Sequence, residues 1–279
     1  NYIGLDVADI NGNGRPEIIV SSVAFKRDRF NSFVLEFNGN QFKTILDGSP
    51  WLYRVSRPIN GDPILLGQRR KKIKSEGDLF STPIYKMLWK GSEYVPDQQM
   101  AKRRIANVMG TAVDDVINDG SNRLLTYSPG DRLRIYDRSG EAIWEGKEKL
   151  GGGIAAFEVP AKDPTVRDNI QYFPMRIRTA DIDQNGNVEV IVAANHDVAG
   201  IMKTLRIFDR SRIISMSWNG VSLSNNWSTS DIEGRIADFI ISDFDNDGRD
   251  ELVATVVLKE KSTVGVKGKS VIIAYDLST

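Results

Sequence analysis

The chain contains no cysteine, which excludes disulfides, zinc–thiolate centres and thiol catalysis. It contains one histidine, His196, in a segment with no nominated nucleophile, so that residue is read as structural or incidental. It has no excess of either charge: 37 basic residues balance 37 acidic ones, leaving no whole-molecule field to draw it toward nucleic acid or anionic lipid. No hydrophobic run approaches the length of a membrane span, and no stretch of these residues reads as a signal peptide. A glycine-rich phosphate loop, a nucleophile elbow and a metalloprotease histidine pair are missing as well, so the common catalytic motifs give no active site.

What the chain does contain is a pattern of oxygen-bearing side chains, repeated three times. It reads DINGNGRPE from Asp9 to Glu17, DIDQNGNVE from Asp181 to Glu189 and DFDNDGRDE from Asp243 to Glu251. Positions 1, 3, 5 and 9 are carboxylates or amides: Asp9, Asn11, Asn13 and Glu17; Asp181, Asp183, Asn185 and Glu189; Asp243, Asp245, Asp247 and Glu251. Position 6 is Gly14, Gly186 or Gly248, which supplies the positive φ needed to reverse the chain within the loop. Calcium is a hard cation that takes six to eight oxygens in flexible geometry, so a short loop with alternate oxygen side chains can wrap it. The carbonyls of position 7, Arg15, Asn187 and Arg249, can add backbone ligands. An EF-hand loop begins in the same way but places its bidentate acid at position 12 between two helices. Here the acid stands at position 9 and leads into Ile18-Ile19-Val20, Val190-Ile191-Val192 and Leu252-Val253-Ala254, which suit strands. Each loop is therefore placed at the turn of a β-hairpin. Polar turns without metal are the alternative for any single loop, since Asx side chains also satisfy their own backbone. The formal charge of the four ligands grows from −2 to −3 to −4 along the chain, so two to three calcium ions are expected, with the first loop the weakest.

A second signature is an apolar run ending in an aromatic residue and a turn. It occurs at Val34–Phe37, Ile84–Trp89, Leu133–Tyr136, Leu205–Phe208 and Val271–Tyr275. Two further loops keep the position but not the ligands. Asp115 and Asp119 remain before Gly120, but Ile117 and Arg123 occupy positions 3 and 9; around Gly61 only Asn60 remains. Both should be metal-free. The five loops start at 9, 56, 115, 181 and 243, so five repeats, over 1–50, 51–105, 106–172, 173–232 and 233–279, share one domain spanning 1–279. Repeats of this length with four short antiparallel strands each predict an all-β fold, a β-propeller of about five blades with calcium loops between the first two strands of three blades.

The stretch from Ala8 to Val20, with its counterparts starting at Ala180 and Ser242, resembles the calcium loop of the FG-GAP and VCBS repeat family, the repeat of integrin-type propellers. The resemblance is good at three loops and degenerate at two. It implies a propeller and calcium ligands at positions 1, 3, 5 and 9. Familiar members have seven blades, and this chain shows five repeats.

From these readings we expect a calcium-stabilised, non-catalytic binding module for a protein or glycan ligand. A secreted carbohydrate-active hydrolase or lyase on a propeller scaffold, and a structural spacer of a surface protein, are the alternatives. Loops with this few ligands suit millimolar extracellular calcium, which favours the cell envelope or the outside of a bacterium. The sequence begins at Asn1, inside a repeat, and reads as a piece of a longer protein. The last repeat ends three residues past Asp276, so its outer edge is expected to pair with upstream residues or another chain. Trp89, Trp144 and Trp218 are assigned between blades, whereas Trp227, among Ser224, Asn225, Asn226 and Ser228, is the candidate for a surface that stacks on a sugar. The basic run Arg69, Arg70, Lys71, Lys72 and Lys74 reads as a solvated hairpin tip, and Gly151-Gly152-Gly153 as a flexible connection.

Overall fold

The computed structural model describes residues 1–24, 29–70, 80, 82–101, 106–159, 169–199, 206–258 and 269–277. Lys71, Lys72 and Lys74 of the basic run lie outside them, as does Leu205.

Five antiparallel sheets surround a common axis as the blades of a propeller. Blade one contains β1 (Tyr2–Ala8), β2 (Glu17–Ser22), β3 (Ser32–Phe37) and β4 (Phe42–Ser49), paired in that order. Blade two contains β5 (Trp51–Ser56), β6 (Ile64–Arg69), β7 (Ile84–Trp89) and β8 (Tyr94–Ala101). In blade three, β9 (Thr111–Asp114), β10 (Arg123–Tyr127), β11 (Leu133–Tyr136) and β12 (Ala142–Glu145) follow a short 3-10 turn at Val108–Gly110. A separate hairpin, β13 (Ala156–Val159) with β14 (Asn169–Tyr172), stands between blades three and four. Blade four contains β15 (Ile177–Ala180), β16 (Glu189–Asp197), β17 (Phe208–Trp218) and β18 (Leu223–Ser228), with β19 (Ile232–Glu233) added to the far end of β17. Blade five shows three strands among the described residues: β20 (Arg235–Ser242), β21 (Glu251–Val257) and β22 (Ser270–Asp276).

Register follows the loops. Ala8 pairs with Glu17, Asp114 with Arg123, Ala180 with Glu189 and Ser242 with Glu251, so position 9 faces the residue just before position 1 in four blades. In blade two Ser56 pairs with Ile64, and the loop closes one residue short. The second strands are the core of each blade, because side chains on both faces meet neighbouring sheets. Ile19, Leu66, Leu125, Val190 to Val192, and Leu252 are buried. One cluster joins blades three, four and five through Leu125, Ile135, Val190, Ile214, Phe239 and Leu252. A second, centred on Leu52, Phe80, Met109 and Phe157, ties the separate hairpin to blades two and three.

Three expectations need correction. The turn expected after Phe208, at Asp209–Ser211, is instead strand: β17 runs unbroken from Phe208 to Trp218, with His196 opposite Arg210 and Asn195 opposite Ser211. Pairing along the whole of β16 outweighs the local turn preference of Asp209 and Ser211. Consequently Trp227 lies on β18 rather than in a polar loop, opposite Ser215, half-buried against the core. Gly151-Gly152-Gly153 is buried and hydrogen-bonded: the Gly151 N–H donates to Ala193 O at 2.6 Å and the Asn195 N–H to Gly151 O at 2.9 Å. A Cβ at Gly153 would collide with Phe173 O, so glycine here permits close approach. Of the tryptophans assigned between blades, Trp144 of β12 meets Trp218 of β17 edge to face at 6.4 Å across blades three and four, whereas the ring contact of Trp89, at 4.8 Å, is with Tyr94 of its own blade.

Candidate functional site

The three loops share one construction. The side chain at position 1 turns inward and accepts backbone N–H groups: Gly14 N–H donates to Asp9 Oδ2 at 2.8 Å, Gly186 to Asp181 Oδ2 at 2.9 Å and Gly248 to Asp243 Oδ2 at 3.1 Å. The position-5 side chain accepts the N–H of position 7 at 2.8–2.9 Å, from Arg15, Asn187 and Arg249. The acid at position 9 reaches back across the hairpin. Glu17 Oε2 accepts from Ile10, Glu189 Oε2 from Ile182 and Glu251 Oε2 from Phe244, each at 2.7 Å. Two residues per loop adopt positive φ, the glycine at position 6 (Gly14 81°, Gly186 85°, Gly248 90°) and position 4 (Gly12 73°, Gln184 55°, Asn246 64°). Gly12 and Asn246 suit that conformation better than Gln184.

The degenerate loop of blade three folds in the same way. Gly120 N–H donates to Asp115 Oδ2 at 2.7 Å, and Asn118 and Gly120 have positive φ. The same backbone turn is therefore formed where positions 3 and 9 carry no oxygen ligand. At position 9, however, Arg123 donates to Asp119 Oδ2 at 2.6 Å, so a guanidinium supplies the positive charge. In blade two the loop is held by the neighbouring blade, where Asp114 accepts the Ile59 N–H at 3.1 Å.

The second and third loops differ from the blade-three loop in what they leave over. In loop two, carboxylate oxygens of Asp181, Asp183 and Glu189 lie within 4.8 Å of one another. Asp181 Oδ1 and Glu189 Oε1 are buried and accept no hydrogen bond. Burial raises the Glu189 carboxyl above its usual range, against the Ile182 N–H, and the charges of Asp183 and Asp181 add to the rise. In loop three the converging trio is Asp243, Asp245 and Asp247, also within 4.8 Å, with Glu251 outside it. These two trios have the donor chemistry of a hard divalent cation. The first loop holds two acids and two amides. Glu17 Oε1 is buried without a partner, and burial raises that carboxyl, with Asp9 and Glu36 contributing. Arg15, Asn187 and Arg249 are placed at the loop ends by the N–H bonds described above.

The sequence reading missed several residues around the loops. Glu36 of β3 accepts from Asn13 Nδ2 at 2.6 Å and from Asn11 Nδ2 at 3.4 Å, orienting both amides of loop one. The Tyr94 hydroxyl donates to Glu17 Oε2 at 3.4 Å. Asn118 Oδ1 accepts the Val188 N–H at 2.8 Å, linking the loops of blades three and four. Loops two and three together flank a cleft of about 510 Å³ whose lining includes Asp181, Asp183, Arg249 and Asp250. Among the described residues no helix is long and apolar enough to cross a membrane.

No family model matches the chain, and no curated protein matches it. Among solved structures, a crystal structure of BBS1N in complex with ARL6DN, soaked with lead, aligns at 9% identity over 91% of this chain and 75% of that one, with a TM-score of 0.38. The mercury-soaked form of the same complex aligns at 11% identity over 90% and 87% of the two chains, with a TM-score of 0.37. Likeness at this level carries no argument about activity or partner.

Proposed function

We propose that this propeller is a calcium-stabilised interaction module of the FG-GAP and VCBS repeat type, non-catalytic, presenting one face of the ring to a protein or glycan ligand outside the cell or at the envelope. The observation that carries the calcium reading is the pair of buried, unpartnered oxygens, Asp181 Oδ1 and Glu189 Oε1, beside Asp183. A buried carboxylate oxygen with no donor is costly, and a cation bound between three such groups removes both that cost and their mutual repulsion. The blade-three loop supports the same logic, since an arginine stands where the metal-binding loops have an acid. The binding reading is supported by the architecture: loops from successive blades gather beside a shared cleft, as interaction surfaces do on propellers. Calorimetric titration of calcium into the metal-stripped protein tests the first part. A glycan array and a pull-down from the source's envelope, each with calcium and with chelator, test the second. Ligand capture that depends on calcium supports the module, and an absence of any ligand in both would leave the spacer reading in its place.

A further inference from the structure

The inner strands of all five blades line a channel of about 540 Å³ along the ring axis, with Asp6, Arg57, Arg178 and Asp250 on its wall. Around it three arginines meet two aspartates. Asp6 accepts from Arg54 at 3.1 Å and from Arg176, and Val55 N–H donates to it at 3.2 Å. Arg176 also grips Asp238 with two parallel bonds, at 2.8 and 2.9 Å. Two guanidinium groups thus satisfy both carboxylates.

Arg178 is left over. Its nearest carboxylate is Asp6 Oδ1 at 3.8 Å, an oxygen already taken by Arg176, and its Nε is buried without a hydrogen-bond partner. Asp250 at the channel wall makes no ion pair with it within 4 Å among the described residues. Burial, with Arg176 and Arg54 beside it, pushes the Arg178 guanidinium down to about 9. Guanidinium groups nonetheless stay protonated in proteins, so the cation persists with one of its donors unused. Three guanidinium groups share two carboxylates, which leaves one positive charge in excess beside a partly dry channel, a costly arrangement that an oxyanion at the Arg178 guanidinium would relieve.

We propose that the axial channel binds a small oxyanion, a carboxylate or phosphate group, at the Arg178 guanidinium. A channel of about 540 Å³ has room for more than such a group, so the anion can be free in solution or carried on the end of a peptide. Asp250 of the third loop reaches the channel wall, but Arg178 itself belongs to none of the three loops, so its variant tests the anion site without removing a calcium ligand.

The test uses the whole chain, freed of metal on a chelating resin, because soluble chelators are themselves polycarboxylates. Melting temperature is followed with inorganic phosphate, with acetate, and with N-acetyl-glycylglycine against its C-terminal amide, using potassium chloride at matched ionic strength as control. Phosphate or acetate should raise the parent's melting temperature by a few degrees beyond chloride. In Arg178→Gln the excess should vanish, and that variant without anion should melt at least as high as the parent. A rise with the acetylated dipeptide but not its amide assigns the site to a peptide end, whereas a rise with phosphate or acetate and none with the dipeptide assigns it to a free ion. Should Arg178→Gln fail to fold, the Nε–H resonance of Arg178 in the parent is the readout, and it should move on adding phosphate but not chloride. Equal shifts in parent and variant, or an Nε–H resonance indifferent to phosphate, would overturn the proposal.

Discussion

Arg123 donates to Asp119 at 2.6 Å, and so brings a guanidinium to a loop whose counterparts end in Glu17, Glu189 and Glu251. The same hairpin turn is neutralised from within in blade three and left acidic in blades four and five. The difference leaves the carboxylate charge of those two loops without a cation of their own.

The first prediction compares the two kinds of loop. Asp119 is nearly half exposed, so Arg123→Ala removes a screened ion pair worth up to about 1 kcal/mol, a drop of a few degrees at most for a chain this long. That drop should be the same with calcium and with chelator. Asp181→Ala should cost more with calcium than without. Thermal denaturation of both variants under both conditions checks the contrast.

Calcium affinity should follow carboxylate number, with the loop at Asp243 tightest, that at Asp181 next and that at Asp9 weakest. Glu36 refines this order, because it orients Asn11 and Asn13 through their amide nitrogens. Glu36→Gln should weaken the first site and leave the other two unchanged, as read by calorimetry. An equal loss at all three sites would count against the loop-by-loop assignment.

A third prediction concerns acid. Burial would raise the Asp6 carboxyl, but Arg54, Arg176 and Arg178, with the bond from Arg176, hold it below the usual carboxylate range. Asp238 is lowered as well by Arg176, though about half its side chain is exposed and its share is screened. A folded-state value below the unfolded one means that the unfolded chain binds more protons as the pH falls. The stabilisation is therefore complete above about pH 4–5 and is lost below it. Asp6→Asn leaves Arg54 and Arg176 short of a buried partner and should cost about 3–5 kcal/mol at neutral pH. It should also flatten the acid limb of a stability–pH curve measured by urea denaturation.

Gly153→Ala should destabilise by about 1–3 kcal/mol, because its Cβ would meet the Phe173 carbonyl rather than a movable side chain. Thermal melting checks it. A neutral result would restore the reading of Gly151-Gly152-Gly153 as slack chain.

Much of this architecture was legible because the repeat writes it five times. The position of each loop between the first two strands of a blade followed from Gly14, Gly120, Gly186 and Gly248 and the apolar runs behind them. What escaped was set by distant partners. Asp209–Ser211 has the composition of a turn, and only pairing with Asn195 and His196 makes it strand. The β13–β14 hairpin carries no loop motif to mark it. The axial charge cluster joins Asp6 to Arg176 across the whole ring. Its residues are visible as charges within otherwise apolar inner strands, but no local spacing says that they meet.

Titration of calcium into the metal-stripped protein, with Asp181→Asn and Asp243→Asn beside it and melting curves taken before and after chelation, tests the central claim most directly. The account predicts saturable binding of two to three ions with dissociation constants near the extracellular range of about 10⁻⁴–10⁻³ M, and one ion fewer in each variant. Chelation should lower the melting temperature by a few degrees per site, as about 2.7 kcal/mol is gained at a hundredfold excess over Kd. Absence of calcium heat in the parent, with a melting curve indifferent to EDTA, would contradict it and reduce the three loops to polar turns.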